Sequence, residues 1–483
     1  MLLSIAGRQQ PGQAGSYPVG NPVRPAEIVC QAPAASPAQL DAAVAGARAA
    51  AGAWAARSVQ ERAELLIAAA AEAERVAAAA DLPRLLTREH GKVLAEAQLE
   101  LATIAGITRA YSALAAGALA DERLANPAGA TVVSREPQGV VAAILPFNWP
   151  VAVMLNKAVP ALLAGNPVVV KTPPTCPATV LTVAAALSGA LPDGVLSTVN
   201  GPGPELGEAL VSHAGVDMVS LTGGAATGRR VMAAAGARLA PVVLELGGND
   251  AAIVLPDVEI DEALARQLID AALLTSGQVC MAVKRVYVPA TRRPEMVAAL
   301  VAASEPTVAG DGLAPEVTLG PVHSDRGRRF AETLLADAEA AGARVVRTGI
   351  VRTADAESGG YLMRPAIVDG VEPGAAVVRE EQFAPVLPVL PYRDLDDAVA
   401  QANDTRFGLC ASVWSHDDEL AHSVARRLEA GTVFINAHGM LAMDPAAPFG
   451  GWKESGLGRE LGVEGIRAFT RSRTLVQRRA AGR

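Results

Sequence analysis

The sequence is poor in aromatic side chains: Phe, Trp and Tyr together make up 3% of its 483 residues. Any large core must therefore be filled by Ala, Val and Leu, and there is little material for stacking nucleic-acid bases. Positive charge is short as well. Lys and Arg number 42 against 50 Asp and Glu, a formal net charge of −8, and no basic stripe with interleaved aromatics occurs. That balance excludes a nucleic-acid surface and favours solubility. Only four cysteines are present, Cys30, Cys176, Cys280 and Cys410, with no CxxC pair, which suits free thiols in a reducing compartment. The six histidines form no HExxH or comparable cluster, so no structural or catalytic metal is expected. The N-terminus lacks a cationic segment followed by a long apolar one and does not read as a secretory signal. The most apolar long stretch, 140–170, is broken by Asn148, Asn156, Lys157, Asn166 and prolines, and reads as a buried strand–helix–strand unit rather than a membrane span. A cytoplasmic protein is expected.

What is present is alternation. With 51% hydrophobic residues over this length, two or three structural units are expected. Residues 1 to about 36 read as an irregular arm with short extended pieces. Ser36-Pro37 starts an Ala-rich helical region to about Ala80, and a second runs from Pro83 to about Ala120 with a break near His90-Gly91. Val140–Leu145, Val168–Lys171, Val195–Asn200, Met218–Thr222 and Val242–Leu246 are short apolar runs separated by helix-length segments. That rhythm predicts a parallel sheet with ligands beyond the carboxyl ends of its strands, where Asn148, Lys171, Thr222 and Glu245 stand. A second α/β series follows: strands over Ala251–Leu255, Lys284–Val288, Arg364–Val368 and Val386–Tyr392, a buried strand over Gly431–Asn436, and helices over 261–275, 291–303 and 323–342. The tail, Phe469–Gln477, alternates as a strand suited to pair with Thr131–Arg135 in a small flap that invites a second subunit.

Cys280 on its own reads more often as a small buried hydrophobe than as a nucleophile. Its setting after Ser276-Gly277-Gln278 suits presentation to a cleft, where a thiolate adds to an aldehyde carbon. Glu245, ending an apolar run before Gly247-Gly248, is either a partnered structural ion or a base tuned by burial. Asn148, in Pro146-Phe147-Asn148-Trp149-Pro150, either caps a helix or donates to an oxyanion together with the Cys280 backbone N–H. Gly201-Pro202-Gly203-Pro204-Glu205-Leu206-Gly207 is one residue too long for GxGxxG, whereas Gly223-Gly224-Ala225-Ala226-Thr227-Gly228 opens a helix whose first amides suit a pyrophosphate. Pro448-Phe449-Gly450-Gly451-Trp452-Lys453 suits backbone threaded close to a cleft.

Together these segments resemble the aldehyde dehydrogenase superfamily over about residues 20 to 475, with the motifs in that family's order. The resemblance implies an α/β fold: a Rossmann-type parallel-sheet cofactor domain (1–120 and 140–247), an α/β catalytic domain (248–448) and a β oligomerisation flap (121–139 and 468–483). It implies Cys280 as nucleophile, Glu245 as general base, Asn148 at the oxyanion and Lys157 among the catalytic residues. NAD or NADP would be bound by Leu145, Pro146, Phe147, Lys171, Pro173, Gly203, Gly207, Thr222, Gly223, Gly224, Thr227 and Leu246, with Glu381 and Phe383 at the nicotinamide end. Trp149, Val153, Met281 and Phe449, with Met440, Leu441 and Met443, would form an apolar substrate wall without a cationic clamp, pointing to an uncharged aliphatic or aromatic aldehyde. A homodimer or homotetramer is implied. Where many NAD-preferring relatives carry a Glu, this chain has Pro174, which removes a repulsion against a 2′-phosphate and predicts that NADP is tolerated. The alternatives are a CoA-acylating relative and a non-catalytic dinucleotide-binding scaffold. Glu245 speaks against the first, and the joint presence of Cys280, Glu245 and Asn148 against the second.

Overall fold

The computed structural model describes residues 1–126 and 129–478. Two sheets dominate. The first runs Gly456–Leu457, Val242–Glu245, Met218–Thr222, Val141–Ile144, Val168–Lys171, Leu196–Val199, parallel except for its first member. Its inner strands are buried along their length because helices cover both faces, which is why they read as continuous apolar runs rather than alternating ones. The second runs Arg344–Arg347, Ala366–Asp369, Val386–Tyr392, Val283–Pro289, Asp250–Val254, Cys410–Trp414, Thr432–Ile435. Its first strand is antiparallel.

Register aligns the strand ends of the first sheet. Ile144 pairs with both Leu221 and Lys171, and Thr222 pairs with Glu245, so Lys171, Thr222 and Glu245 end at one rim. The chain then crosses from Glu245 to Asp250, in the middle of the second sheet, through residues 246–249 alone. A short crossing brings the rim of one sheet against the other, and the cleft between them is where ligands to such sheets bind.

Four sequence expectations need correction. The helical region 36–80 is two helices, Pro37–Ala55 and Val59–Ala79, because Ser36 with Gln39 and Ser58 with Glu61 each form a capping box. The Arg62 guanidinium fastens the break by donating to the Leu163 and Ala55 carbonyls. The last strand of the second sheet, Thr432–Ile435, is half-buried rather than buried, because it lies at the sheet's edge. The antiparallel edge strand Arg344–Arg347 has no counterpart in the sequence expectations. The flap strand around residue 131 is longer than expected, Gly129–Pro137, and pairs with Thr470–Arg478 on one side and Glu122–Leu124 on the other. Residues 127–128 and 479–483 of the expected flap lie outside the described residues. Among the described residues no helix is long and apolar enough to cross a membrane.

Candidate active site

The thiol is delivered by a strained turn. After the helix Glu262–Leu273, three consecutive residues take left-handed backbone angles: Thr275 (φ 53°), Ser276 (φ 58°) and Gly277 (φ 73°). Such angles cost about 1–3 kcal/mol at each non-glycine residue, so the surroundings must enforce them. Glu96 Oε1 accepts from the Thr275 N–H at 2.7 Å, Trp149 Nε1 donates to Thr275 Oγ1 at 3.0 Å, and Ser276 Oγ donates to the Gly320 carbonyl at 2.8 Å. At Gly277 a Cβ would run into the Ala384 carbonyl, leaving room only for glycine. The turn ends in Gln278, whose carbonyl accepts from Asn148 Nδ2 at 2.9 Å. Asn148 is thereby tied beside Cys280, at the start of the helix Pro150–Leu163.

Cys280 is partly exposed. Burial pushes its thiol up to about 12. Lys284 opposes that, while Glu381, Asp250 and Glu245 add to it. The sulfur therefore keeps its proton at neutral pH until a base takes it. Glu245 is 4% exposed and neither carboxylate oxygen has a hydrogen-bond partner. Burial, then the neighbouring Glu460 carboxylate, push it well above the usual carboxylate range, with Lys157 and Arg459 opposing. Glu245 is thus a buried acid without hydrogen-bond partners, close enough for its charge to act on the thiol. Lys157, expected among the catalytic residues, has a fully buried amine paired at 2.5 Å with Glu460 and at 3.1 Å with Ser220 Oγ, and its charge also acts on Glu245.

The rim of the first sheet fits a dinucleotide. Thr222 Oγ1 is buried with no partner. Lys171 is 6% exposed and burial lowers it to about 8, with no carboxylate paired to it among the described residues. The helix Ala225–Gly236 starts at Gly224 without a side-chain cap, leaving its first amides free beside Gly223 and Thr227. On the neighbouring strand end the Leu145 N–H donates to the Lys171 carbonyl, which fixes where Pro146 and Phe147 begin, and Pro173 follows two residues beyond Lys171. Leu246 packs where a Cβ on Gly228 would fall. Glu381 Oε1 accepts from the Gly248 N–H at 3.0 Å, and its other oxygen occupies the space a Gly247 Cβ would need. Phe383 meets the edge of Phe147, which stacks on His323. Gly203 and Gly207 flank the start of the helix Glu205–Ser212, but the Glu205 carboxylate fills the place of a Gly203 Cβ, so that helix start is already acidic.

On the other side of the thiol, Trp149, Met281 and Phe449 form one apolar cluster with Cys410 and Phe434, and Val153, Met440 and Met443 pack against it. A cavity of about 560 Å³ opens beside Val279 and Met281. Of the expected apolar wall, Met281, Met440 and Leu441 line this cavity together with Glu96, Arg266, Asp270, Asn436 and His438, while Trp149, Val153, Phe449 and Met443 lie in the apolar cluster; Leu441 is 74% exposed.

A model of the aldehyde dehydrogenase family matches residues 9–475. The chain belongs to that family. It oxidises an aldehyde to the carboxylic acid. The enzyme is 40% identical over 460 residues to geranial dehydrogenase of Castellaniella defragrans, covering 93% of each chain. It is 36% identical to 3,6-anhydro-alpha-L-galactose dehydrogenase of Streptomyces coelicolor, covering 96% of this chain and 94% of that one. Among solved structures, a mutant of aldehyde dehydrogenase C from Pseudomonas syringae, complexed with NAD+ and octanal, superposes with a TM-score of 0.91 at 33% identity, covering 99% of this chain and 96% of that one. An NADP-dependent enzyme of E. coli gives 0.91 at 32% identity, with 98% and 97% covered.

Sequence reasoning missed Glu460, Lys284 and Glu96. A charged residue interrupting an apolar or small-residue run was the available signal in each case.

The unpartnered Glu245 has a measurable cost. Its folded carboxyl keeps a proton to higher pH than the unfolded one, whose value lies near 4.3. Between the two values the native state binds the extra proton, so stability falls as pH rises. Glu245→Gln removes that loss. Thermal denaturation should show the variant melting above the parent at neutral pH, with the gap closing toward pH 5. A variant less stable than the parent at neutral pH would contradict the burial argument.

Proposed function

We propose that the enzyme works through Cys280, Asn148 and Glu245. The Cys280 sulfur bonds to the aldehyde carbon while its proton passes to Glu245, and the carbonyl electron pair moves onto oxygen. Asn148 Nδ2 and the Cys280 backbone N–H hold that oxyanion. When bound, the nicotinamide supplies the acceptor for the hydride that leaves this carbon. Glu245, its proton returned to solvent, then takes one from water as the water oxygen attacks the thioester carbon, releasing the acid and the thiol. The observation that carries this reading is the carboxyl group of Glu245, buried without partners within electrostatic reach of the Cys280 thiol, on a turn whose Gln278 carbonyl accepts from Asn148. CoA acylation needs no such base. Cys280→Ala should abolish turnover, and Asn148→Ala should lower kcat about 10²–10³-fold with intact folding. Full activity in Cys280→Ala would defeat the mechanism.

The apolar cluster around the thiol supports an uncharged aliphatic or aromatic aldehyde as substrate. Reduced-nicotinamide absorbance across a panel of aldehydes tests this. A semialdehyde acid that outpaces every neutral aldehyde in kcat/KM rules it out.

NAD or NADP is the cofactor. Lys171 without a neighbouring acid, and Pro174 whose carbonyl accepts from Tyr17 at 2.9 Å, support tolerance of a 2′-phosphate. With Lys171 near 8, its charge is present below that pH and lost above it. The kcat/KM ratio of NADP to NAD should then fall up to roughly tenfold from pH 7 to 9. A flat ratio would remove Lys171 from that role.

A homodimer or homotetramer formed through the flap is supported by two open sheet edges. Thr470–Arg478 leaves Leu475 and Val476 more than half exposed, and Thr432–Ile435 ends the second sheet. Light scattering should show an oligomer that Leu475→Glu with Val476→Glu dissociates; an unchanged mass places the interface elsewhere. The free thiols support a cytoplasmic setting.

A further inference from the structure

Lys284 has no part in the chemistry above. It is 2% exposed, and no carboxylate lies within ion-pair distance of its amine among the described residues. The amine donates instead to three carbonyls of the thiol-bearing turn: Val279 and Cys280 at 2.8 Å each, and Ala282 at 3.5 Å. A lysine amine has three N–H donors, so its capacity is taken up by this one turn. Strand register explains the direction. Asp250 pairs with Val283 and Ala251 with Arg285, which leaves Lys284 as the extra residue of a bulge. A bulge is a device for re-aiming one side chain out of the regular alternation.

A peptide unit is planar and trans, so its C=O and N–H point in opposite directions. With the Val279 carbonyl drawn onto Lys284, the Cys280 N–H must face away from it. That N–H has no acceptor among the described residues. We infer that Lys284 is a positioning residue of the reaction: by gripping the Val279 and Cys280 carbonyls it aims the Cys280 N–H at the developing oxyanion. The inference rests on the role proposed above for Cys280. The charge of Lys284 also opposes the upward push of burial on the thiol, so the same amine serves sulfur and oxyanion.

The test compares the enzyme with Lys284→Met, which keeps the apolar stem, and Lys284→Gln, which restores N–H donors without charge. Octanal oxidation gives kcat and KM, iodoacetamide alkylation from pH 6 to 10 reports the thiol, and NAD+ binding with thermal denaturation checks folding. Lys284→Met should lose about 10²-fold in kcat with KM within threefold, the size of effect expected from one misdirected donor. Its alkylation profile should move to higher pH. Lys284→Gln should recover at least tenfold in kcat while its alkylation profile stays displaced. A kcat within twofold of the parent in a folded Lys284→Met overturns the inference. So does a loss of kcat with an unmoved alkylation profile and no recovery in Lys284→Gln, which marks a packing role only. If Cys280→Ala remains active, the underlying mechanism fails instead; if it is inactive while Lys284→Met is normal, only this inference fails.

Discussion

Two glycines stand where the sheets meet, and the site depends on their having no side chains. A Cβ on Gly247 would run into the Glu381 carboxylate, and one on Gly248 would lie 2.6 Å from the Cys280 carbonyl oxygen. The segment 246–249 can therefore bring the end of one sheet directly against the thiol turn of the other. Glu245 stands on one side of this crossing and Asp250 on the other. A larger residue at Gly248 would press on the backbone of the thiol turn, and one at Gly247 would displace the Glu381 carboxylate.

The same closeness governs the thiol turn. Left-handed angles at Thr275 and Ser276 are unfavourable locally and persist because Glu96, Trp149 and Gly320 bind the turn from three separate parts of the chain. Strain at a functional site is sustained only by such over-determination. Polar groups inside the protein follow a related rule. Lys92 and Glu100 pair at 2.6 Å in full burial, and Glu100 also caps the helix that follows Asn148. Among the buried polar atoms left without a partner are both carboxyl oxygens of Glu245 and Thr222 Oγ1, at the strand ends that border the cleft.

Much of the fold was legible because period and punctuation are local. Val168–Lys171, Met218–Thr222 and Val386–Tyr392 have the bounds their apolar runs suggest. The break at Ala55–Ser58 was masked by the Ala-rich sequence on both sides of it, and the shallow burial of Thr432–Ile435 by its apolar composition, since an edge strand and a central one differ in neighbours rather than residues. At the site, Cys280, Asn148 and Glu245 were visible as motifs. The pairing of Lys157 with Glu460 spans 303 positions and could not be read from either.

By itself the sequence determined the alternation of strands and helices, the candidate reactive residues and the low positive charge, because each is a property of composition or short-range order. Only the tertiary structure decided which carboxylate lacks partners, which way the Cys280 peptide points and what lines the cavity beside it. Those depend on burial and on contacts between segments hundreds of residues apart, and electrostatic energies in a low-dielectric interior are set by such neighbours.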